Sequence, residues 1–179
     1  SYKAPVEDVQ FLLNDVFQLV SDAILQRGGT LDKFIGDSVM AYFGAPIASA
    51  DHAVQAVNTA VDIMRAIRNR NRSLEPGDQA AELGIGIHTG PVVVGNIGSD
   101  RRTDFTAIGD AVNVAARLEK LAKPGEILVT EAVQRRVRGA QRLRFEGERQ
   151  LSGRVETVHV YSVEVPETGP ASAAAGRPA

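Results

Sequence analysis

The chain has no cysteine among its 179 residues. A disulfide scaffold, a thiolate zinc site and a cysteine nucleophile are therefore excluded. Aromatic residues make up only 5%, and no aromatic ribonucleoprotein motif is present, which argues against an RNA-recognition sheet that stacks bases. Charge of one sign is also lacking. Lys and Arg total 20 against 22 Asp and Glu, for a net charge of -2. No global basic field exists to hold nucleic acid or an anionic membrane, so any phosphate chemistry must come from a local site. No apolar run approaches the roughly 18 residues of a membrane span. The opening, Ser1 to Asp8, is polar and reads as the approach to a helix rather than as a signal peptide. Its first residue is Ser, which reads as a piece of a longer chain.

What is present suits one domain with a core of its own. Val6, Val9, Leu12, Leu13, Val16, Phe17, Val20 and Ile24 form a helical stripe that Gly28-Gly29 ends. Residues 30–35 and 38–43 read as a hairpin around Gly36-Asp37, and 50–70 as a second helix. After a polar loop at 71–80, Leu83–Ile87 and Val92–Val94 are expected to pair around Thr89-Gly90-Pro91. A polar stretch from Gly98 to Thr103 precedes a short strand at 104–107. A third helix is expected over 109–121, a strand over 126–129, a short helix over 131–137, and a last strand pair at 141–150 and 156–165. The tail from Glu167 is rich in Gly, Pro, Ala and Ser, without apolar periodicity, and reads as disordered. The order gives an α/β class. The first half would make a ferredoxin-like βαββαβ sandwich if one more strand preceded the first helix.

Three segments carry candidate chemistry. The first runs Asp32-Lys33-Phe34-Ile35-Gly36-Asp37, where Asp37 at a hairpin tip offers a hard carboxylate suited to Mg²⁺. The second is glycine-rich, Gly84-Ile85-Gly86-Ile87-His88-Thr89-Gly90, a pattern of close backbone approach or bulging. In the third, Gly109-Asp110-Ala111-Val112-Asn113-Val114-Ala115-Ala116-Arg117, Asn113 and Arg117 are four apart and share a helix face. An amide and a guanidinium there can hold a ribose and a phosphate. Taken singly, each segment is better read as a plain turn, a structural histidine or a solvated face.

Together, in this order and spacing, they resemble the class III nucleotidyl cyclase catalytic domain, over nearly the whole chain to about residue 165. The signature of the diguanylate cyclases is not present. The resemblance implies a head-to-tail homodimer with the nucleotide at the interface, and two divalent ions, Mg²⁺ or Mn²⁺, per site. Asp37 matches one of two metal-binding aspartates. Lys33 matches the purine-selecting position, where Lys goes with adenine and Glu with guanine. The chemistry agrees, since an ammonium donates to adenine N1, an acceptor, whereas guanine N1 carries a proton. Thr106 matches the second purine-selecting position, and a Thr there is similar to subclass IIIb, which includes bicarbonate-responsive members. Asn113 matches the ribose-orienting residue, and Arg117 the one that stabilises charge on the α-phosphate in the transition state. Asp37 would serve one site of the dimer, with Lys33, Thr106, Asn113 and Arg117 serving the other.

The implied reaction is conversion of ATP to 3′,5′-cyclic AMP and pyrophosphate, with one ion activating the ribose 3′-hydroxyl, the other holding the triphosphate, and in-line attack at the α-phosphorus. The location implied is cytoplasmic, where ATP is, with membrane tethering possible through other regions. Two departures qualify the resemblance. The motif Phe-x-Asp-Ile/Leu-x-Gly-Phe-Thr, whose Asp is the other metal ligand, does not occur before Val6; residues preceding Ser1 are expected to carry it. In place of Leu-Lys-Gly near the last strand pair stands Leu151-Ser152-Gly153-Arg154, so Arg154, or else Arg149, is the candidate for the triphosphate. The alternative to an enzyme is a catalytically silent cyclase-like domain that binds nucleotide or dimerises for regulation.

Overall fold

The computed structural model describes residues 6–99, 102–151 and 157–167. Arg154 and the tail from residue 168 lie outside the described residues. In chain order the elements are α1 (Val6–Gln26), β1 (Thr30–Ile35), β2 (Ser38–Tyr42), α2 (His52–Arg72), β3 (Ile85–Ile87), β4 (Val93–Ser99), β5 (Arg102–Ile108), α3 (Asp110–Glu119), β6 (Ile127–Thr130), α4 (Glu131–Arg136), β7 (Leu143–Gln150) and β8 (Thr157–Val163). The expected mixed α/β class holds.

The core is organised around β6, whose four residues, Ile-Leu-Val-Thr, are all buried. A strand that is apolar on both faces must be covered on both. Ile127 and Val129 pack with Val57, Val61 and Met64 of α2 and with Val133 of α4. Leu128 points the other way and packs with Leu118 of α3 and Val160 of β8. β6 thus lies between α2 and α3, inside a sheet of order β3-β6-β8-β7. A second cluster joins α1 to α2 through Val20, Ile24, Ile63 and Ile67, and Leu31, Val39 and Ala41 of the β1–β2 hairpin pack against it. The hairpin is therefore seated on α1 from behind. Phe17 of α1 stacks on Phe34 at 4.5 Å between ring centroids.

One expected pairing is wrong. β3 does not pair with the valine run after it. It runs parallel to β6, with Ile85 opposite Ile127, Gly86 opposite Leu128 and Ile87 opposite Val129. The valine run starts β4, which pairs antiparallel with β5 from Val93 opposite Ile108 to Ser99 opposite Arg102. The cause is Gly86. A Cβ there would lie 2.2 Å from the Glu119 nitrogen and 2.6 Å from the Ala115 oxygen. The bare glycine lets the α3 backbone rest directly on β3, and the chain after α3 then returns as the parallel neighbour β6. β4 continues to Ser99, and β5 already begins at Arg102.

Candidate active site

The β1–β2 hairpin closes at Ile35 opposite Ser38 and leaves Gly36-Asp37 as its turn. Gly36 has φ +63° with nothing near its Cβ direction, so it is required by backbone conformation alone. Asp37 is exposed at the tip. Further down the hairpin the register slips, because Leu31 lies opposite Ala41 but Lys33 lies opposite Met40. Asp32 is thus the extra residue of a β-bulge, a feature that re-aims a side chain.

The carboxylate of Asp32 is turned into the protein, with a side-chain exposure of 0%. It meets β5 there. The Thr106 hydroxyl donates to its two oxygens at 2.8 and 2.9 Å, and the Ala107 N–H donates to Oδ2 at 3.0 Å. The Lys33 ammonium stands 3.4 Å from Oδ1 and is itself partly exposed. A buried carboxylate needs such donors to offset its desolvation. The two residues expected to read the purine, Lys33 and Thr106, are thereby brought to one anion that neither motif identified. The sequence did carry a weak signal, since an Asp inside an apolar strand goes against β propensity. Its partner, however, lies 74 residues away, beyond any local pattern. The same charge reaches Tyr42, whose phenol is pushed up chiefly by burial and then by Asp32.

On α3 the buried residues are Val114 and Leu118, which face the sheet. Asn113 and Arg117 each precede one of these, so they form the adjoining edge, with Asn113 exposed and Arg117 half-buried. They share a face as the spacing requires. Among the described residues, no side-chain hydrogen bond or ion pair joins Asp37, Asn113 or Arg117 to the Asp32 group. No cluster of three or more His, Asp or Glu suited to a metal occurs among the described residues either. Asp37 is accessible, and one or two carboxylates with substrate phosphates are a normal Mg²⁺ environment, so the donor fits a shared ion.

Residues 1–164 match the model of the adenylate and guanylate cyclase catalytic domain. The chain belongs to this cyclase family. Among curated cyclases, adenylate cyclase 1 of Rhizobium meliloti is 34% identical over 88% of this chain and 24% of its own length. The adenylate cyclase of Anabaena cylindrica is 37% identical over 89% of this chain and 33% of its own. The chain thus spans a quarter to a third of these relatives. Among solved cyclase structures, the adenylyl cyclase CyaB from P. aeruginosa superposes with a TM-score of 0.81 at 34% identity, covering 90% of this chain and 85% of that one. The guanylyl cyclase Cya2 gives the same TM-score at 36% identity, covering 89% and 81%. Cyclase folds of both purine specificities are therefore equally similar to this one, and base preference has to be argued from the site. No helix among the described residues is long and apolar enough to cross a membrane.

Proposed function

We propose that this domain is an adenylate cyclase, converting ATP to 3′,5′-cyclic AMP and pyrophosphate at the interface of a head-to-tail homodimer. The observation that carries the reading is the partly exposed Lys33 ammonium, backed by the buried Asp32 carboxylate and its Thr106 hydrogen bond. Lys33 donates to the unprotonated N1 of adenine, and Thr106 completes the base contact. Asn113 orients the ribose so that its 3′-oxygen lies in line with the α-phosphorus. Arg117 holds the α-phosphate oxygens as charge builds on them, and Arg154 takes the triphosphate. The 3′-hydroxyl gives its proton to solvent, its oxygen bonds to the α-phosphorus as the bond to the α–β bridging oxygen breaks, and pyrophosphate leaves with that electron pair. Asp37 would be one carboxylate ligand of the Mg²⁺ or Mn²⁺ ions, which supply acidification of the 3′-hydroxyl and neutralisation of the phosphates. No covalent nucleophile is required. The ATP used is that of the cytoplasm.

Dimerisation is supported by apolar side chains left open on the site-bearing elements. Phe34 and Ile35 beside the hairpin tip are 47% and 57% exposed, and Val93 and Phe105 on the β4–β5 ribbon 63% and 51%. A silent nucleotide-binding domain, with the same base-reading pair but no turnover, is the second reading. Arg117→Ala separates the two. In the full-length protein with Mn²⁺, kcat for cyclic AMP formation should fall about 100-fold with KM for ATP changed little, as loss of a transition-state contact requires. An equal loss in kcat and in ATP affinity would contradict that role. A wild-type protein that binds ATP but forms no cyclic AMP is the silent domain.

A further inference from the structure

We infer that Asp32 is a positioning residue that sets the hydrogen-bond polarity of the base-reading pair, making Thr106 an acceptor beside the donor Lys33 and so favouring adenine over guanine. The inference rests on the adenylate cyclase reading and deepens it.

A carboxylate only accepts hydrogen bonds, whereas a threonine hydroxyl has a single hydrogen and two lone pairs. The Thr106 oxygen lies 2.8 and 2.9 Å from the two oxygens of Asp32. Its hydrogen must point at them, because the reverse arrangement would set lone pairs against lone pairs. What Thr106 retains for a ligand is acceptor capacity alone. Lys33 has the opposite character. Its ammonium has three hydrogens and no lone pair, and Asp32 draws it to within 3.4 Å. Adenine presents an acceptor at N1 and a donor at its exocyclic amine. Guanine presents the reverse, a donor at N1 and an acceptor at O6. A fixed donor next to a fixed acceptor therefore matches adenine at both atoms and opposes guanine at both. Lys33 alone would discriminate only at N1. The Ala107 N–H holds the carboxylate from its other side at 3.0 Å, so Asp32 has little freedom to turn. With its side chain fully enclosed, Asp32 touches no nucleotide and acts only through its neighbours.

Asp32→Asn keeps the shape but gives position 32 an N–H that can donate to the Thr106 oxygen, freeing the hydroxyl hydrogen to face a guanine O6. The measurement is kcat and KM for ATP and for GTP on the full-length protein, for the wild type, Asp32→Asn, Thr106→Val and Thr106→Ser. The ATP-over-GTP ratio of kcat/KM should fall about 10-fold in Asp32→Asn and in Thr106→Val, the scale of one hydrogen bond. The change should lie mainly in KM, and Thr106→Ser, which keeps the hydroxyl, should restore the ratio. A role in folding alone would lower both nucleotides together and leave the ratio unchanged, and that result overturns the proposal. If Asp32→Asn fails to fold by circular dichroism, the Thr106 pair decides, with an unchanged ratio in Thr106→Val counting against it. Wild-type formation of cyclic AMP that is lost in Arg117→Ala upholds the cyclase reading whatever Asp32 does. A wild type that prefers GTP overturns both.

Discussion

Tyr42 has a buried hydroxyl with no hydrogen-bond partner, alone in this among the described side chains. An unpaired buried polar atom costs about 1–3 kcal/mol, so Tyr42→Phe should raise stability by roughly 1 kcal/mol, read as a higher midpoint in urea. The pH dependence has a definite sign. Burial and the Asp32 charge raise the phenol above its ordinary value, so the fold favours the neutral form. That contribution is complete below the ordinary phenol range, about 10, and is lost as pH rises through the folded value. Tyr42→Phe should remove this alkaline loss, and a variant that is less stable at pH 7 would sink the account. At this scale the sequence was partly legible. Lys33 and Asp37 stand out because motif spacing is local, and the strand and turn they occupy are as expected. Asp32 and Tyr42 did not stand out, since their meaning comes from a bulge and from a strand far along the chain.

Among the elements, the helices were readable because apolar periodicity is set by the helix itself. The α1 stripe, the α2 stripe and the short α4 all lie where the pattern put them. Strand partners were not readable in the same way. Whether β3 joins β4 or β6 depends on α3 lying across it, and sequence distance favoured the wrong neighbour. Gly86 is the residue that lets α3 lie there. Gly86→Ala would drive a Cβ into backbone atoms of α3, which cannot swing aside as a side-chain tip can. The expected loss is on the order of 3 kcal/mol, as for overpacking of a tight contact. Gly36→Ala meets no atom within 4 Å and should lose only about 1 kcal/mol, the cost of the left-handed backbone. Urea unfolding of both variants tests the contrast, and equal losses would mean that α3 does not rest on β3 as described.

On the scale of the whole molecule, the near balance of charge, -2 overall, means that two copies are not held apart by net repulsion. The β4–β5 ribbon forms a sheet of only two strands, which needs cover to be stable. It presents Val93 and Ile108 directly opposite each other, 63% and 45% exposed. A second copy placed head to tail would cover such surface and bring the Asp37 of one protomer toward the Asn113 and Arg117 of the other. This division of labour predicts complementation. Asp37→Asn and Arg117→Ala should each be nearly inactive alone, because each spoils both sites of its own dimer. Mixed after exchange of subunits, they form a dimer in which one site takes Asp37 from the Arg117→Ala protomer and Arg117 from the Asp37→Asn protomer, and is whole. Half of the dimers in an equal mixture are of this kind, with one of two sites intact, so about a quarter of wild-type activity should return. A mixture as inactive as its parts, with sedimentation showing that exchange has occurred, would place Asp37 and Arg117 in the same protomer's site.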